Sequence, residues 1–176
     1  MDRGGAWANL GVDVMQAATP PQLQPGMGLR PGGERPDLEP FVVASFAAMY
    51  GAARWFSESG VGVVVDVGHH DAYSQPLGIL GRSAQQLAGV PVLFVGIRCP
   101  VDVLVARRRA TWGDEPTSEA FQRVQTWDEA VHRPGIYDVE VDTSVMSAEE
   151  CADEIARRLA EGPATAFERA AVVGQT

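Results

Sequence analysis

The chain has 176 residues, a formal net charge of −9 and a pI near 4.7, with 45% hydrophobic and 21% charged residues. That length suits one domain with a proper core. The acidic balance excludes a bare nucleic-acid binder, which needs a basic face, and no apolar run approaches bilayer-spanning length.

All 14 basic side chains are arginine; the chain contains no lysine. This removes lysine Schiff bases, lysine general bases and the phosphate-binding lysine of nucleotide loops. Cys99 and Cys151 lie far apart, with no CxxC or metal spacing, so a reduced, cytoplasmic chain is expected. The first residues are too mixed for the apolar core of a signal peptide.

In chain order, "WANLGVDV" at 7–14 reads as a short apolar strand ending on an acid, Asp13. Residues 18–40 are dense in proline and glycine, which predicts a loop. Its apolar members Leu23, Met27 and Leu29 either line a pocket or belong to a mobile surface loop. Spacings of three and four predict a helix over 38–59, stopped at Gly60. "VGVVVDV" at 61–67 lacks alternation and reads as a strand buried on both faces, as does "VPVLFVGI" at 90–97. Between them, 69–89 is predicted mostly helical, interrupted near Pro76 and Gly81.

A helix is expected over 99–112, with Pro100 in its first turn. Residues 111–135 read as polar and broken, with short helical pieces, and 136–144 as another strand. Ser147 and Glu150 have capping-box spacing before an amphipathic helix, and residues 163–176 are expected to be a flexible tail after a single domain over 1–162. The alternation predicts an α/β fold of three layers around a parallel sheet. Ligands bind at the carboxyl ends of such strands, which here carry Asp13, Asp66, Arg98 and Asp142.

Each candidate also has a plain structural reading. Asp13 and Asp66 suit acids that cap the following turn. His69, His70 and Asp71 read as polar residues at a helix start, because adjacent histidines make a poor metal pair. Arg107, Arg108 and Arg109 complement a helix dipole. Cys99, Trp55 and Phe56 read as core. Glu149, Glu150, Asp153 and Glu154 read as a solvated helix face.

"FVGIRCPVDVLVARRRATWGD", "VHRPGIYDVEVDTS" and the opening "WANLGVDV" together resemble the chloramphenicol phosphotransferases, a branch of the P-loop nucleotide-kinase fold. The resemblance covers about residues 7–160. It implies an ATP- and Mg2+-dependent transfer of phosphate to a hydroxyl of a small molecule, an antibiotic of the chloramphenicol type, and hence antibiotic resistance. It makes Asp13 the base and Asp66 a magnesium-side acid. Arg107, Arg108, Arg109 or Arg123 become lid cations, with Met15, Leu23, Met27 and Leu29 around the acceptor. One departure is decisive. The pattern G-x-x-x-x-G-K-[ST] is missing, and no lysine could complete it. The resemblance then implies that the fold's central first strand and phosphate loop are absent, and that the chain as written is inactive. Either the reading frame begins further upstream, or the chain is a non-catalytic remnant or interaction module. An uncovered sheet centre would favour association.

Overall fold

The computed structural model describes residues 5–24, 35–113 and 117–173. They fall into two compact units, one up to Val90 and one from Pro91 onward. Both mix helices with a short parallel strand pair, so the fold is α/β.

In the first unit, β1 (Trp7–Asn9) is followed by α1 (Val12–Ala17), a 3-10 turn (Pro21–Leu23), α2 (Glu39–Glu58), β2 (Gly62–Val64) and α3 (Ile79–Gln86). β1 and β2 pair in parallel, with Trp7 opposite Gly62 and Asn9 opposite Val64. Gly62 is needed there: a Cβ at that position would meet the Trp7 ring at 2.7 Å. The apolar stripe of α2 is Val42, Met49, Tyr50 and Ala53, all buried, with Phe46 packed beside them. Its end is set by Gly60, whose φ of +80° continues no helix. Trp55 is 71% exposed, because it lies two residues past Ala53 on the opposite side of the helix; Phe56, 37% exposed, sits in the last turn. The expectation that both are core is therefore corrected.

The second unit contains β3 (Val95–Arg98), α4 (Val101–Trp112), α5 (Ser118–Val131), β4 (Val139–Asp142), α6 (Ala148–Ala160) and α7 (Ala166–Val173). β3 and β4 are parallel, with Gly96 opposite Glu140 and Arg98 opposite Asp142. The capping box of α6 forms in full. The Glu150 amide donates to Ser147 Oγ at 3.2 Å, and the Ser147 amide donates to Glu150 Oε2 at 2.7 Å.

Several expectations change. The first strand ends at Asn9, because Gly11 in extended conformation opens α1 instead. The strands are shorter than their apolar runs. β2 loses its partner where β1 turns into α1, although Leu10 and Val12 still donate to the carbonyls of Val64 and Asp66, at 2.8 and 3.0 Å. Residues 65–78 have no regular helix; α3 starts at Ile79, after Gly78 in the left-handed region, and runs through Gly81. The stretch expected to be broken carries one 14-residue helix, α5. Within the segment expected to be a flexible tail, Ala166–Val173 form α7, which buries Ala166, Phe167, Ala170 and Ala171. Where the sequence predicts one sheet, the described residues form two separate two-stranded pairs.

Candidate active site

The connection from β1 to α1 is only Leu10–Gly11. Gly11 is buried against the end of β2's run: a Cβ there would lie 3.2 Å from both Cβ and the carbonyl oxygen of Asp66. The Val12 amide donates to that carbonyl at 3.0 Å. The first turn of α1 is thus pinned to Asp66. Asp13 is its second residue, not a strand end. A carboxylate in a helix's first turn is favoured by the unpaired amides there, although the N-cap is Gly11 and Asp13 is not the capping residue. Asp13 and Asp66 are both exposed. The carboxyl end of β1–β2 therefore offers two carboxylates to solvent from adjoining backbone.

Apolar surface lies in the same unit. Thr19 Oγ1 donates to the Met15 carbonyl at 2.7 Å, and Gln24 Nε2 donates to the carbonyls of Gln16 and Thr19 at 3.0 and 2.9 Å. These bonds fold the 3-10 turn back on α1. Leu23 then packs on a cluster of Leu38, Val42 and Ile79, alongside Phe46, Tyr73 and Leu77. Met15 is half-buried on α1. Met27 and Leu29 lie outside the described residues.

The segment between β2 and α3 is held by side chains. His69 and His70 are 6% and 7% exposed, so they are not polar residues at a helix start. His69 Nε2 and Tyr50 Oη share a hydrogen bond of 2.8 Å, and the ring packs against Phe46. Burial, with His70 alongside, pushes the His69 imidazole down to about 4. His70 Nδ1 accepts the Ala72 amide at 3.2 Å, and its ring stacks on Tyr73 at 4.2 Å between centroids. Asp71 accepts the amides of Leu77 and Gly78 at 3.0 and 2.8 Å. Glu39 is 5% exposed in the first turn of α2 and accepts the Ser74 amide at 2.8 Å and the Ser74 hydroxyl at 2.6 Å. Sequence reasoning singled out neither Glu39, Tyr50 nor Tyr73. Their partners lie 35, 19 and 3 residues away, and only the last spacing is visible as a local pattern.

The arginine candidates belong to the second unit. Arg107 donates to Thr143 Oγ1 at 2.9 Å and to the Thr143 carbonyl at 2.5 Å, with Cys99 Sγ 3.6 Å away. It ties α4 to the residue after β4. Arg108 is half-buried and Arg109 exposed on α4. Arg123 faces Glu119 at 3.8 Å on exposed surface of α5. Arg98 pairs with Glu140 at 2.7 Å on the neighbouring strand. Asp142 Oδ1 accepts the Ser144 hydroxyl and amide at 2.6 and 2.8 Å, which holds its carboxyl below the usual range. Cys99 is half-buried, Cys151 is buried, and both are free thiols.

These residues do not build an ATP site. Among the described residues, the strand-to-helix connections are Leu10–Gly11, residues 65–78, Cys99–Pro100 and Thr143–Ser147. Gly11 backs onto Asp66, 65–78 is bonded to Tyr50 and Glu39 of α2 and to its own Asp71, and Thr143 is bonded to Arg107. None is a glycine-rich cradle of backbone amides, and no lysine is present. Asp13 and Asp66 are the oxygen ligand type that suits a hydrated magnesium ion. Among the described residues, however, no group of three or more His, Cys, Asp or Glu side chains is placed to hold a metal.

No helix among the described residues is long and apolar enough to cross a membrane. Comparison with curated proteins returns no match. A family description does match, "chloramphenicol phosphotransferase-like protein", over residues 3–160. With that match spanning most of its length, and with strand ends and acids arranged as above, this chain belongs to the chloramphenicol phosphotransferase-like family.

Proposed function

We propose that the chain is the acceptor-binding and base-bearing part of an ATP- and Mg2+-dependent O-phosphotransferase. Its acceptor is a small molecule with a free hydroxyl, an antibiotic of the chloramphenicol type, and it works in the cytoplasm without nucleic acid or membrane. The complete fold proposed is a three-layer parallel sheet. The observation that carries this reading is the exposed Asp13, anchored through Val12 and Gly11 on Asp66 at the carboxyl end of a parallel pair, in a chain of this family.

In this reading Asp13 accepts the proton of the acceptor hydroxyl as it attacks phosphorus. General-base assistance of this kind contributes about 100- to 10,000-fold. Phosphoryl transfer otherwise depends on positioning and charge. Asp66 stands on the magnesium side. Met15, Leu23, Met27 and Leu29 contribute to the acceptor pocket, and Arg107, Arg108, Arg109 and Arg123 are the lid cations that the resemblance implies. Within that set, the Arg107 guanidinium is bonded to Thr143. Magnesium-bound ATP would supply the phosphoryl group. The described residues hold no glycine-rich cradle for its phosphates, so this reading expects the 176 residues alone to bind acceptor without turnover.

The second reading is a non-catalytic remnant or interaction module of the same fold, favoured by the missing phosphate loop. The deciding measurement is chloramphenicol binding and label transfer from radiolabelled ATP. It is made on this chain and on a form carrying any in-frame upstream codons. The enzyme reading expects acceptor binding by both, transfer by the extended form, and loss of transfer in its Asp13→Asn variant. Unchanged turnover in that variant ends the assignment of Asp13. Binding of neither acceptor nor nucleotide by either form selects the remnant.

A further inference from the structure

The chain has three tyrosines, and two of their hydroxyls are used internally. Tyr50 Oη is bonded to His69 at 2.8 Å, and Tyr137 Oη to His132 at 2.7 Å. The third, Tyr73, makes no hydrogen bond among the described residues. Among the described residues no buried side-chain oxygen or nitrogen is left without a partner, so the Tyr73 hydroxyl is reached by solvent although its ring is mostly covered.

Everything else about Tyr73 is fixed. Its ring stacks on buried His70 and packs on the cluster of Leu38, Val42 and Ile79. The loop that carries it is clamped at the next residue by both oxygens of buried Glu39 on Ser74, and again by Asp71 on the amides of Leu77 and Gly78. Leu23, reached from Asp13 through α1 and the 3-10 turn, packs on the same cluster. A rigid phenol with a spare hydroxyl beside half-buried apolar side chains is a preorganised recognition group: its ordering cost is met by the fold before any ligand arrives.

We infer that Tyr73 is a specificity-determining residue of the acceptor site, donating its hydroxyl hydrogen to a neutral oxygen of a small molecule with an aromatic or aliphatic body. The inference rests on the phosphotransferase reading above and adds the acceptor's chemistry to it. Burial, together with Asp71 and Glu39, holds the phenol in its protonated, donating form. The same two carboxylates disfavour an anionic partner, which is why a neutral oxygen is specified.

The test titrates the 176-residue chain and its Tyr73→Phe variant with chloramphenicol by calorimetry, with the thermal midpoint of each measured in parallel. Phenylalanine keeps the ring and its stacking and removes only the hydroxyl. The expected result is about 3- to 10-fold weaker binding at an unchanged midpoint. Equal binding by both proteins overturns the role of Tyr73 and leaves the acceptor-site reading standing. A midpoint that falls with the affinity also overturns it, since the hydroxyl would then serve the fold. If the unmodified chain does not bind chloramphenicol, the acceptor-site reading and this inference fall together.

Discussion

Tyr50 Oη and His69 Nε2 meet at 2.8 Å between α2 and the segment that follows β2, with both side chains buried. The pair joins a helix to a loop that has no regular secondary structure to hold it. It also makes the first unit sensitive to acid. The folded imidazole sits at about 4, against about 6.5 in the unfolded chain. Because the folded value is the lower one, the unfolded state takes up a proton first as pH falls. The stabilisation from a neutral His69 is therefore complete above about pH 6.5 and is lost between there and about pH 4. The full window corresponds to about 3 kcal/mol. Urea midpoints at pH 7.5 and 4.5 should differ accordingly, and His69→Gln should flatten the difference. A histidine C2–H titration midpoint near 6.5 for His69 would contradict the burial argument.

Asp138 is the corresponding tie in the second unit. One carboxylate oxygen accepts the Phe94 amide at 2.9 Å, and the other accepts the amides of Thr165 and Ala166 at 3.0 and 3.1 Å. It thus joins the approach to β3, the approach to β4 and the start of α7. Its side chain is 6% exposed, with Arg158 3.9 Å away. Asp138→Ala leaves three amides without this acceptor and should cost about 2–4 kcal/mol. Asp138→Asn retains one acceptor oxygen and should cost less. Chemical denaturation gives both values, and limited proteolysis should show α7 released first in the alanine variant.

The parts of this structure legible in the sequence are those set by neighbours along the chain. The 3.6-residue stripe of α2, the capping box of α6 and the strand-like character of β2, β3 and β4 all depend on residues within a few positions of one another. What local pattern does not reveal depends on distant partners. Phe167 reads as part of a short tail until it meets Phe94, at 5.1 Å between ring centroids. His69 and His70 read as polar until Tyr50 and Tyr73 enclose them. The candidate site divides the same way. Asp13 stands out because an acid follows an apolar run, whereas Glu39 is one acid among 23 until Ser74 is found bonded to it. Strand ends are not legible in the same way, because an apolar run shows where burial is possible, while pairing ends where the partner turns away, as β1 does at Gly11.

Gly96 on β3 is overlain by Tyr137. A Cβ at this glycine would lie 2.7, 2.9 and 2.9 Å from three atoms of the ring. The ring has little room to yield, being bonded to His132 through its hydroxyl and covered by the Arg98 guanidinium at 5.4 Å from its centroid. Gly96→Ala should destabilise by about 2–3 kcal/mol through overpacking. In a double-mutant cycle with Tyr137→Ala, most of the alanine penalty should vanish, because the clashing atoms are gone. Additive losses would show that the strain lies elsewhere.

Gly11 offers the sharpest link between backbone geometry and the site. Its φ of −100° and ψ of 171° are open to any residue, so alanine carries no conformational penalty there. The difficulty is contact. The new Cβ would stand 3.2 Å from Cβ and the carbonyl oxygen of Asp66, closer than carbon and oxygen atoms normally pack. Relief requires α1 to move away by a few tenths of an ångström, lengthening the Val12-to-Asp66 hydrogen bond now at 3.0 Å. The stability cost should be modest, about 1 kcal/mol, because a contact of 3.2 Å is relieved by so small a shift. The functional cost should be larger, since Asp13 travels with the first turn of α1. In a transfer-competent form, the proposed base role of Asp13 predicts that this displacement lowers kcat by about 10-fold or more while acceptor affinity changes little, because apparatus positioned for reaction tolerates little misplacement. An unchanged kcat in Gly11→Ala, with the thermal midpoint lowered as expected, would separate Asp13 from the chemistry and return it to the role of a helix-start acid.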